Sequence, residues 1–155
     1  MALKESRQTF ETNIDNTCSG VAERGGIMSF VPGVVGLVGY ADAVAVSGQV
    51  AKPAGLLMCD VEAHNYFNQP EHRQRNVVPQ GSCVGLAVEG EFWTDFVEQS
   101  IAGFGSVGTY APGDTLYLAN AGQVSRQQVT GRRVQVGVAL SALTSDGFLK
   151  IRLEI

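Results

Sequence analysis

The sequence is short of the residues on which most enzyme chemistry depends. Its 155 residues include two histidines and three cysteines. The cysteines, Cys18, Cys59 and Cys83, are odd in number and form no C-x-x-C pair, which argues against a disulfide framework and a zinc site. No G-x-S-x-G motif is present, and neither histidine lies in a recognisable nucleophile context. These absences favour a protein without catalytic activity and without a cofactor.

Charged residues are also scarce, at 17% of the chain, against about a quarter in an average domain. The net charge of −4 argues against nucleic acid as a partner, because binding to phosphates needs a basic surface. Residues 1–20 lack the apolar core of a signal peptide, and no run approaches the ~20 apolar residues of a membrane span. We therefore expect a protein made in a cytoplasm, with no membrane partner.

Glycine is the most distinctive residue that is present. Nineteen glycines stand singly between short apolar runs, well above the usual share of ~7%, which indicates turns and bulges. The segments 31–34 and 111–114 each place Pro then Gly at the two central positions, as a type II turn requires. Asp146 and Gly147 predict a hairpin turn between residues 134–142 and 148–155.

Apolar residues alternate along several short segments, as they do in strands with one buried face. In the last segment, four apolar residues lie on a single face: Leu149, Ile151, Leu153 and Ile155. Three further segments show the same pattern through Val134, Val136, Val138 and Leu140, through Val84, Leu86 and Val88, and through Leu116 and Leu118. Residues 92–102 fit a strand or a helix, and their aromatic residues favour the strand. The sequence therefore predicts an all-β fold, a compact β-barrel or β-sandwich of short antiparallel strands.

Residues 1–26 are polar and weakly patterned, and we predict a flexible N-terminal arm ahead of a single β domain over residues 27–155. Such an arm orders only against a partner, with Phe10 and Ile14 as its apolar anchors.

The segment 65–80 is a long polar loop of the kind that is either functional or mobile. It contains Tyr66 and Phe67 as rigid apolar contacts and Arg73 and Arg75 as donors that suit carboxylates. We predict that these four side chains bind a partner. A loop with no specific role is the alternative interpretation.

One short row of side chains resembles a metal site. Asp60, Glu62 and His64 would share one face of a strand. An ordinary solvated polar face explains the same row, and we expect no metal to be bound there.

Four segments of the C-terminal half resemble phage head decoration (cement) proteins and some fibre-associated β modules. These segments are 84–92, 112–124, 136–142 and 146–153, and the resemblance covers roughly residues 80–155. It implies a non-enzymatic virion protein that assembles as a homotrimer on the outside of a phage capsid. Its partners would be the major capsid protein and other copies of itself. A head- or tail-fibre module that binds a host-surface ligand, and a β-barrel enzyme of unrecognised type, are the alternatives.

Overall fold

The computed structural model describes residues 3–5, 12–42, 52–60, 77–101, 105–128 and 134–155. It confirms the predicted all-β class: these ranges contain fifteen strands, one short 3-10 helix (Asn120–Gly122) and no α-helix. The strands are β1 (Leu3–Glu5), β2 (Thr12–Cys18), β3 (Ala22–Glu23), β4 (Ile27–Phe30), β5 (Leu37–Tyr40), β6 (Pro53–Asp60), β7 (Val77–Val78), β8 (Cys83–Ala87), β9 (Glu89–Thr94), β10 (Ser100–Ile101), β11 (Gly105–Ser106), β12 (Thr115–Leu118), β13 (Val124–Ser125), β14 (Gln135–Ala139) and β15 (Leu149–Glu154).

Five strands form a closed barrel in the order β2-β5-β4-β6-β8. The β2–β5 pair is parallel, and the other pairs of the barrel are antiparallel. Closure leaves no strand edge unpaired around the barrel, so its backbone is not a template for further strands.

Six strands form an antiparallel sheet in the order β1-β9-β15-β14-β12-β13. The chain passes from the barrel into this sheet through Val88, which separates β8 from β9. Two short ladders, β3–β7 and β10–β11, complete the described strand pairs.

One side of the barrel packs against the sheet, so its strands are buried on both faces. In β6, Leu57 belongs to the cluster inside the barrel, whereas Leu56 and Met58 belong to the cluster shared with the sheet. In β8, Leu86 belongs to the cluster inside the barrel, and Ala87 belongs to the cluster shared with the sheet. Double burial explains why these segments are continuously apolar rather than alternating. Barrel and sheet are therefore parts of one folded body.

The barrel and the sheet also meet around Tyr40, at the end of β5. Its ring lies 5.7 Å from that of Phe96 and tilted by 35°. Thr94, fully buried, donates its Oγ1 hydrogen to the Gly25 carbonyl over 2.9 Å. Gly122 approaches so closely that a Cβ there would lie 2.7 Å from Tyr40 Cδ1 and 2.9 Å from the Ile27 carbonyl oxygen. We call these five residues, Gly25, Tyr40, Thr94, Phe96 and Gly122, the joint between barrel and sheet.

Both predicted type II turns place glycine at a positive φ, with values of 79° at Gly33 and 93° at Gly113. In the first, the Val34 amide donates to the Val31 carbonyl over 3.3 Å. In the second, the corresponding bond, from Asp114 to Ala111, is 3.1 Å long. Both turn predictions are confirmed.

The C-terminal hairpin pairs β14 with β15, and the side chains of Leu149, Ile151 and Leu153 are buried as predicted. Ile155 lies beyond the strand and is 39% exposed. In β14 the predicted face is only partly correct, because Val136 and Ala139 are buried whereas Val138 is half-buried. The cause is a bulge opposite Leu116 and Tyr117, which adds one residue to β14 and shifts the alternation.

Residues 92–101 contain no helix, and they are strand at 92–94 and 100–101. β9 ends at Thr94, Val97 forms a single bridge to Val124, and β10 follows. The strand interpretation is therefore correct at the two ends of the described segment and wrong over residues 95–99, which form an irregular connection.

The structure places part of the predicted N-terminal arm inside the body. β2 lies between β5 and β8 in the barrel, and β3 pairs with β7. The boundary predicted at residue 26 thus falls between paired strands. The physical reason is that β2 is held by backbone hydrogen bonds on both sides, which a search for apolar periodicity does not detect.

Deleting residues 2–20 removes β2 and opens the barrel, so we expect the truncated chain to lose its cooperative melting transition. Deleting residues 2–5 removes only the edge strand β1, and we expect that chain to melt cooperatively near the temperature of the intact protein. Circular dichroism melting of both checks this. A folded 2–20 deletion would show that β2 is a dispensable arm.

The hairpin core is tested by Ile151→Ala, with Arg152→Ala as the neighbouring control. Ile151 is 1% exposed, so we expect its truncation to lower the free energy of unfolding by about 2–5 kcal/mol. Arg152 is exposed and forms a surface ion pair with Glu91 at 3.6 Å, so its loss should change stability by less than about 1 kcal/mol. Urea denaturation measures both, and equal effects would contradict the assigned face.

The joint is tested by Gly122→Ala, with Gly113→Ala as the control. Both glycines have positive φ, so both substitutions carry a strain of about 1–2 kcal/mol. Only at Gly122 does the new Cβ meet backbone, the Ile27 carbonyl, and we expect a further loss of about 1–3 kcal/mol there. Equal losses in urea denaturation would show that the joint is not tightly packed.

Candidate docking surfaces

Six large apolar side chains of the described surface are well exposed: Val35 at 102%, Val21 at 67%, Val34 at 50%, Val77 at 46%, Phe30 at 42% and Ile155 at 39%. Three of them, Phe30, Val34 and Val35, lie within residues 30–36, which comprise the last residue of β4 and its connection to β5. We call this segment the apolar turn. It is the largest local concentration of these exposed side chains in the sequence.

The apolar turn is held in place at both ends. At its start, the Val31 amide donates to the Leu37 carbonyl over 3.0 Å. At its end, the Gly36 carbonyl accepts the Thr17 amide at 2.8 Å and the Thr17 hydroxyl at 3.2 Å. The turn is thus bonded to β2 and β5 of the barrel, which orders its backbone before any partner arrives.

The sequence around the apolar turn carries no charge. Residues 25–41 contain no acidic, basic or histidine side chain. The exposed Lys52 lies beside Phe30, whose amide donates to the Lys52 carbonyl over 3.1 Å. The apolar turn can therefore be buried in a partner without removing an ionised group of its own from water.

A second, smaller apolar area lies on the β3–β7 ladder. Ala22 and Val78 are paired and buried, whereas Glu23 and Val77, the next pair, are exposed. Val21 lies two residues before Glu23 and is exposed as well. The glutamate interrupts this area, which makes it a poorer apolar contact than the turn.

The outer face of the six-stranded sheet is polar and internally paired. The Glu91 carboxylate forms ion pairs with Lys150 Nζ at 3.1 Å and with the Arg152 guanidinium at 3.6 Å. Trp93, opposite Lys150 in the ladder, is half-buried. Such a face is what an antiparallel sheet presents to water when its other face forms the core.

The described residues offer little reactive chemistry. Over these ranges, no three His, Cys, Asp or Glu side chains come together as a set that could hold a metal ion. Burial raises the pKa of the Cys18 thiol, whose Sγ donates to the Gly20 carbonyl over 2.9 Å, and a protonated thiol is a poor nucleophile. Burial also raises the pKa of Tyr110 to about 12, and its hydroxyl donates to the Glu98 carbonyl over 2.6 Å.

Among the residues that the structure describes, no helix is long and apolar enough to cross a membrane.

Most of the partner-binding residues predicted from sequence lie outside the described ranges. These are Phe10, Tyr66, Phe67, Arg73 and Arg75, and they stay predictions. Ile14 lies within β2, between Asn13 and Asn16, where the pairing with β8 is irregular. Of the metal candidates, Asp60 ends β6, and Glu62 and His64 are outside the described ranges.

Sequence reasoning missed the apolar turn as a surface. It identified the Pro-Gly turn correctly, but it did not consider the valines of the turn as a contact surface. The available signal was the combination of a rigid turn at residues 31–34 with apolar residues inside the turn itself, where polar residues are usual.

No protein-family model matches this sequence, and no curated protein matches it either. The contacts described above, together with the sequence itself, are therefore what supports a function for this chain.

Proposed function

We propose that this chain is a non-enzymatic structural protein of a phage particle, which binds the outside of the capsid and stabilises the shell. The observation that carries the proposal is the apolar turn. Its backbone is held by hydrogen bonds, and its exposed side chains are apolar, so it can contact a partner protein but has no reactive group. The resemblance of residues 84–92, 112–124, 136–142 and 146–153 to head decoration proteins supplies the class of partner. Those residues contribute to β8, β9, β12, β13, β14 and β15.

The architecture suits a mechanical role. A protein that clamps neighbouring shell subunits has to resist deformation between its contact points. Here a closed barrel and a sheet share one hydrophobic cluster, so they cannot move apart without exposing Leu56 and Phe92 to water. Close-packed interiors of this kind have low compressibility and transmit strain. Load applied at the apolar turn would thus pass into the whole body.

The proposed partners are the major capsid protein and further copies of this chain. A homotrimer on the capsid surface is the arrangement that the resemblance implies, and closed symmetry is usual among soluble homo-oligomers. The mature location is then the virion surface, after synthesis in the host cytoplasm.

Binding to heads that lack this chain is the direct test of the proposed function. We expect the purified protein to co-sediment with such heads to a saturable level, and not with heads that already carry it. Light scattering of the free protein is expected to give three times the 16.4 kDa chain mass. Absence of co-sedimentation at tens of micromolar, where contacts of useful affinity would be occupied, would contradict the proposal.

A further inference from the structure

We infer that the apolar turn, residues 30–36, is the element that docks on the capsid, and that it enters an uncharged apolar pocket of a capsid protein. This inference rests on the proposed function and adds to it the surface and the chemistry of its partner. Three observations favour this occupant over a second copy of the chain or a lipid surface.

The first observation is the fixed geometry of the turn. The bonds from Thr17 to the Gly36 carbonyl and from Val34 to the Val31 carbonyl hold its backbone in the free protein. A contact element that is already ordered loses little conformational freedom on docking. This preorganisation suits a protein pocket of fixed shape, whereas insertion into a fluid lipid layer requires no particular shape.

The second observation is the area that the turn presents. Val35 is fully exposed, Val34 is half exposed and Phe30 is 42% exposed, so together they offer on the order of 300 Å² of apolar surface. A stable interface between two proteins buries about 800 Å² on each side. Two copies stacked turn against turn would fall well short of that. A single capsid pocket would fall short by the same measure, so the contact has to be repeated, and identical pockets at regular spacing on a shell let several weak contacts act together.

The third observation is charge. Anionic membranes attract clusters of basic residues, but the chain has a net charge of −4 and residues 25–41 contain no basic side chain. The uncharged segment 25–41 instead matches a pocket without ionised groups, because neither side then leaves a charge unpaired on burial.

The test is a double variant, Val34→Ser with Val35→Ser, and its matched control is Val21→Ser, another exposed valine outside the turn. Binding to heads that lack the chain is measured by co-sedimentation. We expect the double variant to raise the Kd by about 10-fold or more for each valine and the control to leave it unchanged. Melting temperatures should stay within a few degrees of the wild type, since the substituted side chains are exposed in the free protein.

Four other results are distinguishable. If the wild type binds heads and the double variant binds equally well, the turn is not the docking element, although the proposed function stands. If the wild type binds no heads, the proposed function itself is contradicted. Binding of the wild type, but not the double variant, to vesicles of phosphatidylcholine and phosphatidylglycerol would assign the turn to a membrane. Loss of oligomers in light scattering of the double variant would assign it to a second copy. Either of these last two results overturns the inference.

Discussion

The barrel wall formed by residues 27–28 of β4, 54–58 of β6 and 84–87 of β8 is buried on both of its faces, and the rest of the structure depends on this constraint. Successive side chains of β6 alternate between the inside of the barrel, at Leu57, and the interface with the sheet, at Leu56 and Met58. Neither face can carry a charged residue without placing it in a hydrophobic core. The scarcity of charge in the sequence thus has an explanation within one chain. Few charged residues can also mean that apolar surface is covered by other copies of a chain, but that explanation is not needed here. The proposed trimer is therefore supported by the resemblance to decoration proteins and not by the low content of charged residues.

The same constraint determines where glycine is needed. Two layers that share a wall leave little room at their meeting points, and at Gly122 the backbone passes within contact distance of both Tyr40 and Ile27. The neighbouring Ala121 adopts a positive φ of 54°, and its amide donates to Asp42 Oδ1 over 2.9 Å. A conformation that side chains rarely adopt is thus held by a specific hydrogen bond at the joint.

The apolar turn stands apart from these packing requirements. Val35 is fully exposed, so its side chain contributes almost nothing to the stability of the free chain, and any polar residue would serve the fold equally well. A single such side chain is ordinary, but three in one short segment, Phe30, Val34 and Val35, are a reason to look for a binding role. The turn backbone, by contrast, is tied into the barrel through Thr17, which connects the proposed contact directly to the rigid body.

Local patterns predicted local structure well. The alternation through Leu149, Ile151 and Leu153 identified the buried face of β15, and the Pro-Gly pairs identified two turns, because in both cases neighbouring residues determine the conformation. The face of β14 was predicted only in part, since its bulge arises from pairing with a strand about twenty residues earlier in the chain. β2 was missed because long-range backbone pairing, and not apolar spacing, holds it. Whether the strands close into a barrel also depends on such distant pairings. Of the predicted partner-binding residues, only Ile14 lies in the described ranges, and the apolar turn was not among them.

Electron microscopy of the native particle, at a resolution that shows side chains, tests the central claim most directly. The proposed function predicts density for the barrel and sheet on the outer surface of the shell, and the inference about the apolar turn adds that Val34 and Val35 are buried in an apolar pocket of a capsid protein. A particle whose outer surface lacks this density, with the chain found inside the head or absent from the virion, would contradict it.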